Sequence, residues 1–144
     1  MNTLRLVSER DPNPADVEIV KWGLYNFNMR TMNDERFLDI AIFLRDEANA
    51  VQGGILGSVW ATWFHLEFLW IAEAYRHQNY GDQLMQAAEA EALAFGATSI
   101  YLETHSFQAR PFYERHGFQV VGEIEDYPPG QTYYLLSKSL TEKA

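Results

Sequence analysis

The sequence has 144 residues, of which 47% are hydrophobic and 15% aromatic, and this is enough apolar surface for one buried core. The length is short for two ordinary domains, so we expect one domain over residues 1–144. Twenty Asp and Glu against eleven Lys and Arg give a net charge of −9, which disfavours nucleic acid as a partner. The same charge suits a cationic substrate such as an amine, and it equally suits ordinary solubility.

The chain contains no cysteine, which excludes disulfides, thiolate metal sites and a cysteine nucleophile. Its first ten residues, MNTLRLVSER, are charged where a secretion signal would be apolar, and no segment has the length of a membrane span. We therefore expect a cytoplasmic protein without a membrane partner. The four histidines lack metal-ligand spacing, so we interpret them as isolated side chains and expect no metal: His65, His77, His105 and His116.

The first 71 residues predict a strand, a helix and a three-stranded meander. Weak alternation predicts the strand at residues 3–8, and apolar residues at helical spacing predict a helix over residues 14–27, ended by a polar run at 28–36. Apolar runs at residues 37–45, 51–60 and 63–71 predict the antiparallel meander. In the third run one face is predicted to be wholly apolar, with Glu67 on the other face; the apolar set is Phe64, Leu66, Phe68 and Trp70.

After residue 81 the apolar period becomes helical, and Gly96 stands where a C-terminal helix cap is expected. The predicted elements that follow are a strand at 98–103, a short helix at 108–116 and strands at 118–124 and 131–137. The strand, helix and strand between residues 63 and 103 predict a parallel crossover within a mixed sheet. The predicted class is therefore α/β.

A polar loop at residues 73–83 connects the third meander strand to the next helix. Such junctions bind anions, because unpaired backbone N–H groups and the helix dipole meet there. Arg76 and His77 add side-chain donors, and arginine suits phosphate oxygens. An ordinary loop capped by Asp82, with Arg76 in solvent, is the alternative. The loop alone leaves both interpretations open.

This loop resembles the signature of the GNAT superfamily of N-acetyltransferases: Arg or Gln, two residues, Gly, one residue, then Gly or Ala. Arg76 and Gly81 match the first and last positions. Asn79 replaces the first glycine, and asparagine is the non-glycine residue that best tolerates positive φ. A carboxylate beside a diphosphate is unfavourable by about 1 kcal/mol or more, so Asp82 is expected to point away from it.

A second segment also resembles the GNAT pattern of Asn, two residues, Ala, three residues, Tyr, three residues and Gly-Phe. This chain matches it from Ala109 through Tyr113 to Gly117 and Phe118, and Ser106 stands in place of the asparagine. Two segments in the expected order, on the expected elements, are more specific than either alone.

The resemblance implies a GNAT fold, a single mixed and mostly antiparallel sheet splayed at its central parallel strands and flanked by helices. It implies acetyl-CoA or another short acyl-CoA as the donor, bound in the splay, and a primary amine that attacks the thioester directly. The residues implied to bind the coenzyme are Leu69, Trp70, Ile71, Arg76, His77, Gln78, Asn79, Tyr80, Gly81, Asp82, Gln83, Ser106 and Tyr113.

Two catalytic residues follow from the resemblance. Tyr113 is expected to protonate the leaving thiolate, since a tyrosine hydroxyl and a thiol ordinarily have comparable pKa values. Glu67 is expected to accept the amine proton directly or through water, with Glu103 as a weaker candidate. A solvated Glu67 with no catalytic role is an equally open alternative. Family members usually carry a β-bulge in this strand, which would change the faces of the residues beyond it.

Two rival functions stay open: a coenzyme A-binding module without acyl transfer, suggested by Asn79 and Ser106, and a structural domain without coenzyme. The acceptor implied by the family is a small-molecule or peptide amine, and family analogy also suggests a homodimer. Four scattered aromatic residues, Tyr25, Trp60, Trp63 and Tyr127, are interpreted as core residues and not as the wall of an acceptor pocket.

Overall fold

The computed structural model describes residues 2–33 and 36–141. The chain forms two compact units, residues 1–35 and 36–144, and the expectation of one domain stays a prediction. The first unit contains helix α1, Pro14–Met32, whose N-terminus is capped by the Asn13 side chain accepting from the Ala15 N–H at 3.0 Å. Among the described residues, no helix has the length and apolarity needed to cross a membrane.

Two predictions about the first unit are wrong. Residues 3–8 form no strand, and Leu4 and Leu6 are exposed, because weak alternation alone gives no buried face. Helix α1 ends at Met32, five residues past the predicted end at residue 27. Residues 28–32 contain no proline or glycine, so nothing in this polar run breaks the helix. The helix ends at Asn33, which adopts φ 48° in the left-handed region and donates to the Met29 carbonyl.

The described residues of the second unit form six strands, two α-helices and a short 3-10 helix at Glu73–Tyr75. The elements are β1 (Phe37–Arg45), β2 (Val51–Trp60), β3 (Trp63–Ile71), α2 (Tyr80–Phe95), β4 (Ser99–His105), α3 (Arg110–Arg115), β5 (Gln119–Glu125) and β6 (Thr132–Ser139). The strands form one mixed sheet in the order β1-β2-β3-β4-β6-β5. The predicted meander is confirmed as β1 to β3, and the predicted α/β class with a mixed sheet is confirmed.

The central strands β3 and β4 are parallel, as predicted, but they pair over only three positions. Pairing begins at Trp63 with Ser99 and ends at His65 with Tyr101. Beyond that point β3 continues to Ile71 and β4 to His105 without pairing to each other. The sheet is therefore splayed at its central parallel pair.

A β-bulge interrupts the pairing of β2 with β3. Leu56 pairs with Phe68 and Gly57 pairs with Leu66, so Glu67 is an extra residue on β3. The extra residue shifts the two-residue alternation of side chains by one position. Leu66 is buried at 3% exposure while Phe68 is 65% exposed.

The single apolar face predicted for β3 is therefore wrong beyond the bulge. Trp70 lies with Phe68 among the exposed residues, and Leu69 and Ile71 take over the packing against the core. When the two-residue alternation is continued across an inserted residue, every later side chain is assigned to the wrong face of the sheet.

The core lies between the sheet and α2, whose buried face consists of Leu84, Met85, Ala88 and Ala92. Gly96 ends α2 with φ 109°, which confirms the predicted cap. The core interpretation of four aromatics is wrong: Tyr25, Trp60, Trp63 and Tyr127 are between 42% and 55% exposed. Trp63 makes an edge contact with Tyr101 on β4, on the sheet face opposite the buried β4 residues Ile100 and Leu102.

Candidate active site

A cleft of ≈ 600 Å³ lies where the end of β3 meets the N-terminus of α2 and the side of α3. It brings together most of the residues that the sequence implied for the coenzyme: Leu69, Trp70, Ile71, Arg76, His77, Asn79, Tyr80, Gly81, Asp82 and Tyr113. The apolar part of the cleft follows the unpaired end of β3, and the polar part is the loop before α2.

Four of the predicted site residues are not in the lining of this cleft. Gln78 turns back to donate to the Ala74 carbonyl at 3.2 Å, and the Gln83 backbone is in the first turn of α2. Ser106 accepts from the Thr132 N–H at 3.0 Å and so connects the end of β4 to the start of β6. Glu67 lies at the bulge, beside His65.

Sequence reasoning missed four residues that line the cleft, namely Tyr75, Ala109, Phe112 and Arg115. The last three lie in the same segment as Tyr113: Ala109 is the N-cap of α3, four residues before Tyr113, and Phe112 immediately precedes it. A helical projection of that segment from Tyr113 was the available signal. Nothing in the sequence distinguishes Tyr75 from an ordinary loop residue.

The loop before α2 has two residues in the left-handed region, His77 with φ 61° and Asn79 with φ 66°. The interpretation that asparagine preserves the loop conformation at the missing glycine agrees with this φ value. Asn79 is the N-cap of α2, but its side chain makes no capping hydrogen bond. Its carbonyl accepts the first helical bond, from Gln83, so the N–H groups of residues 80–82 precede the helical ladder. This helix start therefore presents backbone donors to the cleft.

Gly81 permits a close approach between α2 and α3. A Cβ at this position would lie 3.2 Å from Cε2 and 3.3 Å from Cζ of Phe112. Both residues line the cleft, so the small residue in the loop signature lets the Phe112 ring pack at its wall.

The polar end of the cleft carries two arginines. Arg76 Nε donates to the Ile71 carbonyl at 2.9 Å, which fixes the guanidinium plane, and the Arg115 guanidinium lies 5.8 Å from the Phe112 ring centroid. Among the described residues neither arginine forms an ion pair with a carboxylate. Both guanidinium groups can therefore take an anionic ligand.

Asp82 also lines the cleft, in the first turn of α2, and it is not the N-cap. Its Oδ1 lies 2.6 Å from Nε2 of His116, which follows α3 and packs against the Phe112 ring at a centroid distance of 4.7 Å. The carboxylate near the arginines is thus paired with a histidine from another element.

Tyr113 is the buried polar side chain of the cleft, at 8% exposure. Its ring makes edge contacts with Phe112 and Phe118. Burial raises the pKa of the Tyr113 hydroxyl above its ordinary value of 10.0. The hydroxyl is therefore protonated at neutral pH and can donate into the cleft.

A separate polar cluster lies at the point where β3 and β4 diverge. His65 Nε2 is 2.9 Å from Glu103 Oε2, and His65 Nδ1 is 3.6 Å from Glu67 Oε1. The imidazole stacks on Tyr101 at 4.3 Å with an interplanar angle of 4°. One histidine thus connects the two carboxylates that the sequence suggested as bases.

The interpretation of the histidines as isolated side chains is wrong for three of them. His65 contacts Glu103, His116 contacts Asp82, and His105 Nδ1 lies 3.1 Å from Gln108 Oε1. Glu103 is 38 positions from His65 and Asp82 is 34 positions from His116, so local spacing rules could not find these two contacts.

Comparison with known proteins places the chain in a family. The model of the acetyltransferase (GNAT) family matches residues 9–118. A blasticidin-S acetyltransferase from Streptomyces morookaense is 39% identical over 101 residues, which are 69% of this chain and 74% of that protein. An acetyltransferase from Agrobacterium fabrum is 30% identical over 127 residues, which are 86% of this chain and 93% of that protein.

A solved acetyltransferase from Bacillus cereus has the same fold, with a TM-score of 0.82 at 28% identity, and the match covers 92% of this chain and 97% of that chain. The predicted fold and the predicted acetyltransferase activity are thereby confirmed. The chain belongs to the GNAT family of acetyltransferases.

Proposed function

We propose that this acetyltransferase moves an acetyl group from acetyl-CoA to the primary amine of a small molecule. The observation that carries the proposal is that the start of α2, which has no side-chain cap, lines the same cleft as two arginines and the buried Tyr113. Anion-binding groups at one end and a protonated hydroxyl among apolar residues at the other suit a ligand with a diphosphate and a thioester.

The residues of the cleft fit the coenzyme in charge and in shape. The N–H groups of residues 80–82, together with Arg76 and Arg115, would hold the diphosphate. The exposed backbone of Leu69, Trp70 and Ile71 at the unpaired edge of β3 would hold the pantetheine arm. Gln78, Gln83 and Ser106, which are outside the lining, would support the loop and the end of β4.

In the transfer, the protonated amine first loses one proton, and the neutral nitrogen then bonds to the acetyl carbon while the carbon–sulfur bond breaks. The nitrogen loses a second proton and the sulfur gains one. Tyr113 would donate its hydroxyl proton to the sulfur, because its raised pKa keeps it protonated until a thiolate develops beside it. Glu67, at the bulge and 44% exposed, would accept the amine proton directly or through one water.

The acceptor is proposed to be cationic before it reacts. Glu67 and Glu103 lie together near the divergence of β3 and β4, and the chain as a whole has a net charge of −9. A relative at 39% identity is named for blasticidin S, so that compound is the first acceptor to test.

The experiment has two stages. Calorimetric titration with acetyl-CoA measures donor binding, and turnover with blasticidin S and a panel of small amines and peptides measures transfer. Because the chain has no cysteine, a thiol reagent reports the released coenzyme A and no protein thiol. Saturable binding with thiol release that requires an amine is the expected result. Flat heats at millimolar acetyl-CoA would overturn the proposal.

A further inference from the structure

The Asp82–His116 pair determines how much negative charge the protein places beside the proposed coenzyme site. Asp82 lies in the lining of the cleft, in the helical turn whose N–H groups face the proposed diphosphate. A lone carboxylate there repels a diphosphate, yet it also stabilises the N-terminus of α2 through the helix dipole. His116 is within 2.6 Å of this carboxylate, and its side chain is only 15% exposed.

We propose that His116 is a positioning residue for the donor, which neutralises Asp82 so that the diphosphate meets a neutral pair. The inference rests on the proposed function, because it assumes that coenzyme A binds in this cleft. The protonated imidazole and the carboxylate together carry no net charge. The neutral imidazole leaves the full negative charge of Asp82 beside the diphosphate.

The sign of the pH effect follows from these two states. Coenzyme affinity should be highest where the His116 imidazole is protonated, because the pair then carries no net charge. Affinity falls as the pH rises and the pair becomes anionic. By linkage, binding of the anionic ligand favours the protonated imidazole, so binding should be accompanied by proton uptake.

Other ionisable groups line the same region, and their contributions to the pH dependence must be distinguished from that of His116. Tyr75, Arg76 and His77 come from the loop, Tyr80 from the start of α2, and Tyr113 and Arg115 from α3. Arginine and tyrosine as residue types ordinarily keep one charge state between pH 5 and 8, so His77 is the competing source of pH dependence.

The experiment measures the dissociation constant of dephospho-coenzyme A by calorimetry between pH 5.5 and 8.5. This probe keeps the diphosphate and lacks the 3′-phosphate, whose own ionisation near pH 6 would otherwise contribute. For the wild type, the dissociation constant should rise about fivefold or more across this range, which corresponds to about 1 kcal/mol. Buffers of different ionisation enthalpy should show proton uptake on binding.

Four variants assign the effect. Asp82→Asn should bind at pH 8.5 more tightly than the wild type, because no carboxylate charge remains beside the diphosphate. His116→Gln should bind weakly at every pH, lose the pH slope and take up no proton. The double variant should recover the affinity that His116→Gln loses, because His116 matters only while Asp82 is charged. His77→Gln, whatever its absolute affinity, should keep the pH slope. Thermal melts of each variant confirm folding, and His116→Asn replaces His116→Gln if the latter does not fold.

Two outcomes would overturn the inference. A dissociation constant that is independent of pH in the wild type, or a slope that persists in His116→Gln, contradicts the role of the pair while leaving coenzyme binding intact. Absence of binding at every pH contradicts the proposed function as well, so the two failures are distinguishable.

Discussion

His65 Nε2 lies 2.9 Å from Glu103 Oε2, and this contact joins β3 to β4 near the last position at which the two strands pair. Two residues further on β3, Glu67 occupies the bulge and faces the other nitrogen of the same imidazole at 3.6 Å. The ring therefore connects the proposed base to a second carboxylate on the neighbouring strand. We expect Glu103 to orient the imidazole and, through it, Glu67.

Glu103→Gln should lower kcat by about tenfold while the KM for acetyl-CoA stays unchanged, because the change affects the base and not the donor site. Glu67→Gln should lower kcat by on the order of 100-fold. The double variant should be no slower than Glu67→Gln, since both residues act on one proton. Steady-state kinetics with the acceptor found in the amine panel provides the measurement. Glu91→Gln, an exposed change on α2, is the control, and multiplicative losses in the double variant would contradict the linkage.

Tyr113→Phe should lower kcat by on the order of 100-fold with the dissociation constant for coenzyme A within about twofold of the wild type. Phenylalanine keeps the ring contacts with Phe112 and Phe118 and removes only the hydroxyl. Thiol-release kinetics and calorimetry on the same samples provide the comparison. Tyr134→Phe, which removes a hydroxyl outside the cleft lining, controls for general effects. An unchanged kcat in Tyr113→Phe would remove this residue from the mechanism.

The buried Tyr113 also predicts a loss of stability at alkaline pH. Its folded pKa is raised by burial, so the unfolded chain releases this proton at lower pH than the folded chain does. Below about pH 10 both states keep the proton and nothing changes. Above that pH the free energy of unfolding should fall by up to about 1.4 kcal/mol per pH unit from this group. Urea unfolding at pH 8.0, 9.5 and 10.5 should show a shallower decline in Tyr113→Phe, and identical slopes would refute the assignment.

Gly57 is required opposite the bulge, where a Cβ would lie 2.3 Å from both the His65 carbonyl oxygen and Phe64 Cε1. Gly57→Ala should therefore lower the free energy of unfolding by about 2 kcal/mol or more, because the backbone of β3 has to move. Gly122→Ala is the matched control, since its Cβ would come no nearer than 3.9 Å to Leu135 Cβ. Chemical denaturation of both variants provides the test. Equal effects of the two substitutions would show that the contact at the bulge is unimportant.

Asn79 is one of the two left-handed residues of the loop, with φ 66°. Asn79→Gly should leave the dissociation constant for coenzyme A within about twofold, since glycine adopts this conformation freely. Asn79→Val should weaken binding by about tenfold, because a β-branched residue is strained by about 1–2 kcal/mol at this φ. Calorimetry on the two variants separates conformation from side-chain contact. A weakened Asn79→Gly would mean that the amide side chain itself binds the donor.

Much of the fold could be predicted from the sequence because its elements are specified locally. The meander runs were found at 37–45, 51–60 and 63–71, and β1 to β3 occupy the same residues. Gly96 ended α2 as predicted, because glycine adopts the left-handed region at φ 109° without strain. The loop at residues 73–83 was also predicted, because its pattern lies within one contiguous stretch of sequence.

The alternation of apolar residues could not place the side chains beyond Glu67, because the bulge is a property of how β3 pairs with β2. Only the family resemblance suggested a bulge in this strand. The pairing of Asp82 with His116 was also invisible, since the two residues are 34 positions apart and meet only when α2 packs against α3. The same holds for His65 and Glu103, which are 38 positions apart.

The sequence by itself determined the order of the elements, the GNAT resemblance and the loop that begins α2, because periodicity, caps and turn residues act over a few neighbouring positions. Only the tertiary structure decided which groups share an electrostatic environment. Coulomb interactions depend on distance in space, and the positions that matter here, His65 with Glu103 and Asp82 with His116, become neighbours only through strand register and helix packing.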